Sequence, residues 1–272
     1  MPIGGATGFA CVIGWPVAHT LSPRLHNHWL DRNGIDAVYL PMAVSPTNLP
    51  TALAGLAALG CRGANLTLPH KVAALSLCSA LAPSAQGAGA VNTLVFGPGG
   101  GITGHNTDGA GFLQSLTANG VNPAALPWLI LGAGGAARAI AAAALHLGCR
   151  VQIASRRPDQ AQALATTLPG LNALPWPSHA PATATLIVNA TAAGMHDTPP
   201  LALDLSSAAP ASVIADIVYA PRRTPLLAAA EALGLKTIGG IDMLIYQAAA
   251  AFQAWFGIHP APDAALRALL PE

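Results

Sequence analysis

Trp128-Leu129-Ile130-Leu131-Gly132-Ala133-Gly134-Gly135-Ala136-Ala137-Arg138 is the stretch on which the fold turns. Its apolar start reads as a buried strand, its close-set glycines as a turn, and the alanine-rich run that follows as a helix. Gly132 and Gly134 fill the first two places of a GxGxxG/A pattern, and Ala137 fills the third, where a small side chain lets helix and strand approach. Backbone N–H groups at such a helix start can cradle a pyrophosphate. A bare glycine pattern is weak, but here a strand precedes it and a second strand is expected at 150–154. The stretch therefore predicts a dinucleotide site, against the plainer reading of a tight turn with no ligand.

The second strand ends in Ser155-Arg156-Arg157, with no acid at the place where NAD-binding versions hold the ribose hydroxyls. A guanidinium is a planar fork of donors suited to phosphate oxygens, so the arginines point to the 2′-phosphate of NADP. A solvated pair after a strand is the alternative, and Asp159 keeps a ribose contact, and so NAD, as a minority reading.

Outward from this unit, short β-branched or apolar runs alternate with alanine- and leucine-rich segments of helical length. Strands are expected at 10–14, 37–42, 63–67, 91–96, 128–131, 150–154, 184–189, 213–216 and 236–238. Helices are expected at 23–33, 47–59, 109–119, 134–147, 158–167, 225–233 and 242–256. Alternation of this kind predicts an α/β fold with largely parallel sheets. The 272 residues are enough for two domains. We expect a first boundary near 108–122 and a return near the Gly239-Gly240 pair, which could hinge. Pro98-Gly99-Gly100-Gly101 reads as a hairpin-like turn.

Charged residues are only 8% of the chain against 53% hydrophobic ones, and 12 Lys+Arg balance 11 Asp+Glu to a net charge of +1. That excludes disorder and leaves no basic footprint for nucleic acid. Charge-poor stretches are broken by prolines, asparagines and glutamines, which argues against a membrane span. The N-terminus lacks a basic region followed by a long apolar run, so a signal peptide is not expected. Cys11, Cys61, Cys78 and Cys149 have neither metal nor disulfide spacing, which fits buried thiols in a cytoplasmic protein. A small, neutral or singly charged ligand fits this composition best.

With so few charges, polar clusters carry weight. Four lie at expected strand ends or loop entries: His19-Thr20-Leu21-Ser22-Pro23, Asn65-Leu66-Thr67-Leu68-Pro69-His70-Lys71, Val91-Asn92-Thr93 and Asn106-Thr107-Asp108-Gly109. In open α/β sheets ligands sit at the carboxyl ends of strands, so these clusters can converge. Plainer readings exist: Ser22 and Asp108 could cap helices, and Asn65 and Asn92 could be turn residues. Lys71, at an expected helix start, opposes the macrodipole and so reads as functional. A lysine and an aspartate facing a ligand supply proton donor, acceptor and anchor for alcohol–ketone interconversion, with hydride from a nicotinamide. No metal is expected: His26 and His28, the one close histidine pair, stand at i, i+2 on a helix and point apart.

Taken together, these motifs resemble the shikimate dehydrogenase family across nearly the whole chain. Further landmarks are Val12 to Pro23, Gly89-Ala90-Val91-Asn92-Thr93-Leu94, Asn189-Ala190-Thr191, Asp216 to Pro221 and Asp242 to Ala249. The resemblance implies NADP-dependent interconversion of 3-dehydroshikimate and shikimate, in the biosynthetic shikimate pathway. It implies a discontinuous N-terminal α/β substrate domain, 1–108 plus 242–272, and a Rossmann-type NADP-binding domain with a parallel sheet, 109–241. It further implies that Thr20 and Ser22 hold the substrate carboxylate, and that Asn65, Thr67, Asn92, Tyr219 and Gln247 hold ring hydroxyls or the carboxylate. Lys71 and Asp108 would be the catalytic pair. Gly132, Ala133, Gly134, Gly135, Ala136, Ser155, Arg156, Arg157, Thr191, Ile217, Gly240 and Met243 would line the cofactor. Partners are the small-molecule substrate, with no nucleic acid and no membrane, in a monomer or homodimer. Departures are Thr20 in place of serine and Gln160 in place of a basic residue, both of which leave room for a quinate/shikimate dehydrogenase using NAD. A catalytically silent ligand-sensing relative has no need for Lys71 and Asp108.

Overall fold

The computed structural model describes residues 3–195 and 197–270. The chain divides into two compact units, one over Met1–Thr107 and Gln247–Pro271, the other over Asp108–Tyr246. In the first unit the order is β1 (Gly8–Gly14), α1 (Ser22–Arg32), β2 (Ala37–Ala43), α2 (Leu49–Ala58), β3 (Gly63–Leu66), β4 (Ala80–Leu81), α3 (Pro83–Ala88), β5 (Thr93–Phe96) and β6 (Ile102–His105). These strands form one sheet in the order β2-β1-β3-β5-β6-β4. Pairing here is parallel except around one strand: β1 runs parallel to β2 and β3, and β4 to β6, while β5 is antiparallel to both β3 and β6. The Gly97–Gly101 turn, closed by Gly97 N–H donating to the Gly101 carbonyl at 2.8 Å, sends β6 straight back beside β5.

The second unit carries α4 (Asp108–Ala118), β7 (Trp128–Leu131), α5 (Gly135–His146), β8 (Val151–Ala154), α6 (Pro158–Thr167), β9 (Leu171–Leu174), β10 (Leu186–Asn189), β11 (Val213–Asp216), α7 (Pro225–Ala232) and β12 (Lys236–Ile238). Its sheet runs β12-β11-β10-β7-β8-β9 with every pairing parallel. Strands buried on both faces read as unbroken apolar runs, as Trp128–Leu131 does, with all four residues buried. The order reverses between β7 and β10, the switch point at which open sheets of this kind bind ligands. Helix α8 (Gly240–Phe256) follows β12, and α9 (Ala264–Ala268) ends the regular structure.

Three local expectations change. The helix α8 starts at Gly240, so the glycine pair is not a break before it, and the division between the units falls further along, between Tyr246 and Gln247. Lys71 lies in a turn ahead of a short 3-10 helix at Ala73–Leu77, so the macrodipole has no helix through which to act on it. Ser22 does not cap α1: Leu21 holds the cap position without a side-chain bond, and Ser22 is the first helical residue. Cys11 and Cys61 are buried and Cys78 and Cys149 half-buried, all as free thiols. Among the described residues no helix is long and apolar enough to cross a membrane.

The core of the first unit includes one anomaly. His26 of α1 has no exposed surface, and neither ring nitrogen makes a hydrogen bond. Its ring stacks on Tyr39 at 4.1 Å and is flanked by Trp29, Phe252 and Trp255. Burial, with no hydrogen-bond partner at either ring nitrogen, pushes the imidazole down to about 3. The denatured chain, with an ordinary histidine, takes up this proton first. Stability contributed by neutral His26 is therefore present above about pH 6.5 and is lost as pH falls toward 3, at about 1.4 kcal/mol per pH unit. Burial lowers His70 and His105 as well, in the same direction. We expect urea midpoints of His26→Phe to fall less steeply than wild type between about pH 6 and 4. Parallel curves would show that His26 does not titrate on unfolding.

Candidate active site

In the first unit the polar clusters converge at one end of the sheet, where β1, β2, β3 and β6 finish and β5 begins. Trp15 N–H donates to the Leu68 carbonyl at 3.0 Å and Thr67 N–H to the Ile13 carbonyl at 2.9 Å, tying the two loops together. The Thr20 hydroxyl donates to the Ser22 hydroxyl at 3.3 Å and accepts from the Ser22 N–H at 3.3 Å, so these hydroxyls form one pair at the start of α1. Lys71 is anchored through its carbonyl, which accepts from Val91 N–H at 2.7 Å. His70 places Nε2 2.9 Å from the Val44 carbonyl.

Behind these loops lies a buried relay of amides and hydroxyls. Thr107 N–H donates to Asn92 Oδ1 at 2.8 Å, and the Thr93 hydroxyl donates to the same oxygen at 2.9 Å. Asn65 Nδ2 donates to Thr93 Oγ1 at 3.1 Å and to the Asn92 carbonyl at 3.2 Å, and the Tyr39 hydroxyl donates to Asn65 Oδ1 at 2.7 Å. Asn92 Nδ2 in turn donates to Thr107 Oγ1 at 2.9 Å and reaches Gln247 Oε1 at 3.4 Å. Asn65, Asn92 and Gln247 are thus brought into one network. Neither asparagine is a simple turn residue, since both bond across strands. Asn106 is a structural member, donating to the Ala90 carbonyl at 2.9 Å. Nothing in the sequence singles out Tyr39, and Thr93 and Thr107 stand out only as parts of motifs: an alternating strand pattern says which side chains are buried but not which polar ones meet.

The second unit builds a different cradle. Gly132 N–H donates to the Ala154 carbonyl at 2.8 Å. Its φ is +116°, and a Cβ there would lie 2.8 Å from the Ala190 carbonyl oxygen, so only glycine fits. Gly134 is the N-cap of α5 in extended conformation, exposed and with open space beside it. Ala133, Gly135 and Ala136 complete the turn, whose unpaired amides suit an anion such as a pyrophosphate. Ser155, buried at the end of β8, accepts from Arg157 N–H at 3.2 Å, leaving Arg156 and Arg157 exposed. Arg157 caps α6, and Asp159 lies in its first turn.

Beyond them, Asp216 is a buried hub that accepts from Asn189 Nδ2 at 3.0 Å, Val218 N–H at 3.0 Å and the Thr224 hydroxyl at 2.7 Å. Burial raises its carboxyl above the ordinary value, and the three donors pull the other way. Thr191 hangs on the same hub through Asn189 Oδ1, at 2.7 Å from its hydroxyl. Gly240 packs on the backbone of Ile217, where a Cβ would lie 2.3 Å from the carbonyl oxygen. Met243 is buried in the hydrophobic core of this unit. Tyr219 and Asp108 belong to this unit, while Thr20, Ser22, Asn65, Thr67, Lys71, Asn92 and Gln247 belong to the other. Among the described residues no group of His, Cys, Asp and Glu could hold a metal ion; His196 lies outside them.

We expect Gly132→Ala and Gly240→Ala each to lower the thermal midpoint, by on the order of 4 °C or more, because each forces a methyl onto a backbone carbonyl. Midpoints equal to wild type would show that the two backbone contacts are slack.

Two family models match this chain: the shikimate dehydrogenase substrate binding domain over residues 12–94 and the shikimate 5'-dehydrogenase C-terminal domain over residues 240–270. A shikimate dehydrogenase (NADP(+)) of Acidiphilium cryptum is 53% identical over 268 residues, covering 98% of this chain and 96% of the relative. The structure of a Thermus thermophilus shikimate 5-dehydrogenase in complex with NADP(H) and shikimate superposes with a TM-score of 0.87 at 38% identity, covering 97% of this chain and 98% of that one. A quinate dehydrogenase from Corynebacterium glutamicum in complex with NAD is similar at 30% identity and a TM-score of 0.82, covering 97% of each chain. With likeness of this extent in both sequence and fold, the chain belongs to the shikimate dehydrogenase family.

Proposed function

We propose that this chain catalyses the reversible, NADP-dependent interconversion of 3-dehydroshikimate and shikimate. The observation that carries the reading is the relay of amides and hydroxyls at the carboxyl end of the first sheet, whose groups suit the hydroxyls of a ligand bound there. It is present in a chain that also carries a glycine cradle followed by two arginines. Identity of 53% over nearly the full length to a shikimate dehydrogenase (NADP(+)) supports the same reading. When bound, the nicotinamide supplies or accepts the hydride.

The chain's own residues do the rest. Thr20 and Ser22 donate to the substrate carboxylate. Asn65, Thr67, Asn92, Tyr219 and Gln247 hold ring hydroxyls or the carboxylate. In the reducing direction negative charge builds on the ketone oxygen, and Lys71 stabilises that oxygen and gives it a proton. Asp108 accepts from the hydroxyl so formed. The Gly132–Ala136 turn takes the pyrophosphate, and Ser155, Arg156 and Arg157 take the 2′-phosphate. Thr191, Ile217, Gly240 and Met243 line the cofactor. A second reading, oxidation of quinate with NAD, is favoured by two particulars, the extra methyl of Thr20 and the uncharged Gln160. Initial rates on shikimate and on quinate, each with NADP+ and with NAD+, decide between them. We expect shikimate with NADP+ to be fastest, and a higher rate for quinate with NAD+ would overturn the assignment.

Two substitutions test the roles. Lys71→Met keeps the stem but removes charge and proton, so kcat should fall about a hundredfold or more while binding suffers less. Near-normal turnover in a folded Lys71→Met protein would remove Lys71 from the chemistry. Arg156→Ala should raise KM for NADP+ by roughly ten- to a hundredfold and leave NAD+ kinetics almost unchanged. Equal losses with both cofactors would mean that the arginine only shapes its loop.

A further inference from the structure

The polarity of the relay can be derived from one group. The Thr107 N–H can only donate, so the Asn92 atom it meets is the oxygen, and the Thr93 hydroxyl, facing that same oxygen, must spend its proton there. Thr93 Oγ1 is then an acceptor toward Asn65, so Asn65 turns its nitrogen to Thr93. The same nitrogen also meets the Asn92 carbonyl, which can only accept, and the two assignments agree. Both amide protons of Asn65 are therefore spent inside the protein. Its oxygen faces Tyr39, whose hydroxyl must donate at 2.7 Å.

Tyr39 is itself held from both sides. Its ring is 1% exposed and stacks on His26 with planes 15° apart. Its backbone N–H and carbonyl are both bonded by the Asn27 side chain, at 2.8 and 3.0 Å. The ring cannot shift without breaking buried stacking, nor the strand without breaking two hydrogen bonds, so the Tyr39 hydroxyl is a fixed point against which the Asn65 amide is set.

We propose that Tyr39 is a positioning residue for the substrate site: with Thr93 it locks the Asn65 amide so that a ligand meets only its oxygen. Asn65 then selects a substrate group that carries a proton, a hydroxyl, over an ether or a ketone at the same place. This rests on the reading that Asn65 holds a ring hydroxyl of shikimate. Tyr39 acts through Asn65 and touches no reacting atom.

The test uses the full-length protein and initial rates with shikimate and NADP+. In Tyr39→Phe the ring stays and the donor goes, so KM for shikimate should rise about five- to twentyfold, with kcat and KM for NADP+ within about twofold of wild type. In an Asn65→Ala background the same substitution should change kcat/KM by less than about twofold, because the group it positions is gone. Thr93→Val, which removes the other locking hydroxyl, should also raise KM for shikimate, and it carries the test if Tyr39→Phe fails to fold. An unchanged KM in folded Tyr39→Phe, or an undiminished loss in the Asn65→Ala background, overturns the inference while turnover of shikimate by the wild type keeps the functional reading. A wild type that does not turn over shikimate removes that reading and the inference with it.

Discussion

The backbone N–H of Thr107 is buried at the end of a strand with no ladder partner waiting for it, and such a group must be satisfied or it costs free energy on the scale of a whole hydrogen bond. Asn92 Oδ1 satisfies it. The directions of the Thr93, Asn65 and Tyr39 bonds follow from this contact, since an acceptor identified at one atom dictates the bonds behind it. Asn65 on β3 lies directly opposite Thr93 on β5, and the Tyr39 hydroxyl reaches Asn65 from β2 across the intervening β1.

The second unit solves a related problem with a carboxylate. The loops after β10 and β11 leave N–H and hydroxyl groups that need acceptors, and Asp216 gathers three of them at 2% exposure. A buried carboxylate is tolerable when its oxygens are occupied in this way. Through Asn189 the same hub fixes Thr191, next to the backbone that approaches Gly132 too closely for any Cβ. The glycine turn is therefore held by neighbouring loops as well as by its own conformation.

How much of this is legible in the sequence varies with the kind of physics involved. Elements with strong periodicity and chemical punctuation can be read closely: β7 and β11 have the expected limits, and Pro158 starts α6 where expected. Strands β6 and β9 escape a reading of the sequence because Ile102–His105 and Leu171–Leu174 are four residues each and lie beside glycines, which read as turn. Ser22 and Lys71 stand out in the sequence on helix-terminus arguments that the structure replaces. A capping signal in sequence specifies a residue type and cannot tell N-cap from the first helical position, and the turn after Pro69 gives a lysine no helix to oppose. Tyr39 and His26 are opaque for another reason. Their importance comes from partners far along the chain, including Phe252 and Trp255, and long-range contacts leave no local pattern.

Strand β2 is the outermost strand of its sheet, and Asn27 spends its whole side-chain amide on the backbone of Tyr39 there. A primary amide has the donor and acceptor of a peptide group, so Asn27 behaves as a single residue of a missing neighbouring strand. Two residues on, on the same outward-pointing set, Pro41 has no N–H to offer. An extended segment of another molecule that tried to add to this border would find one register site occupied and the next without a donor. The first sheet is thus closed to growth by intermolecular β-pairing along β2, the route by which exposed borders template aggregation.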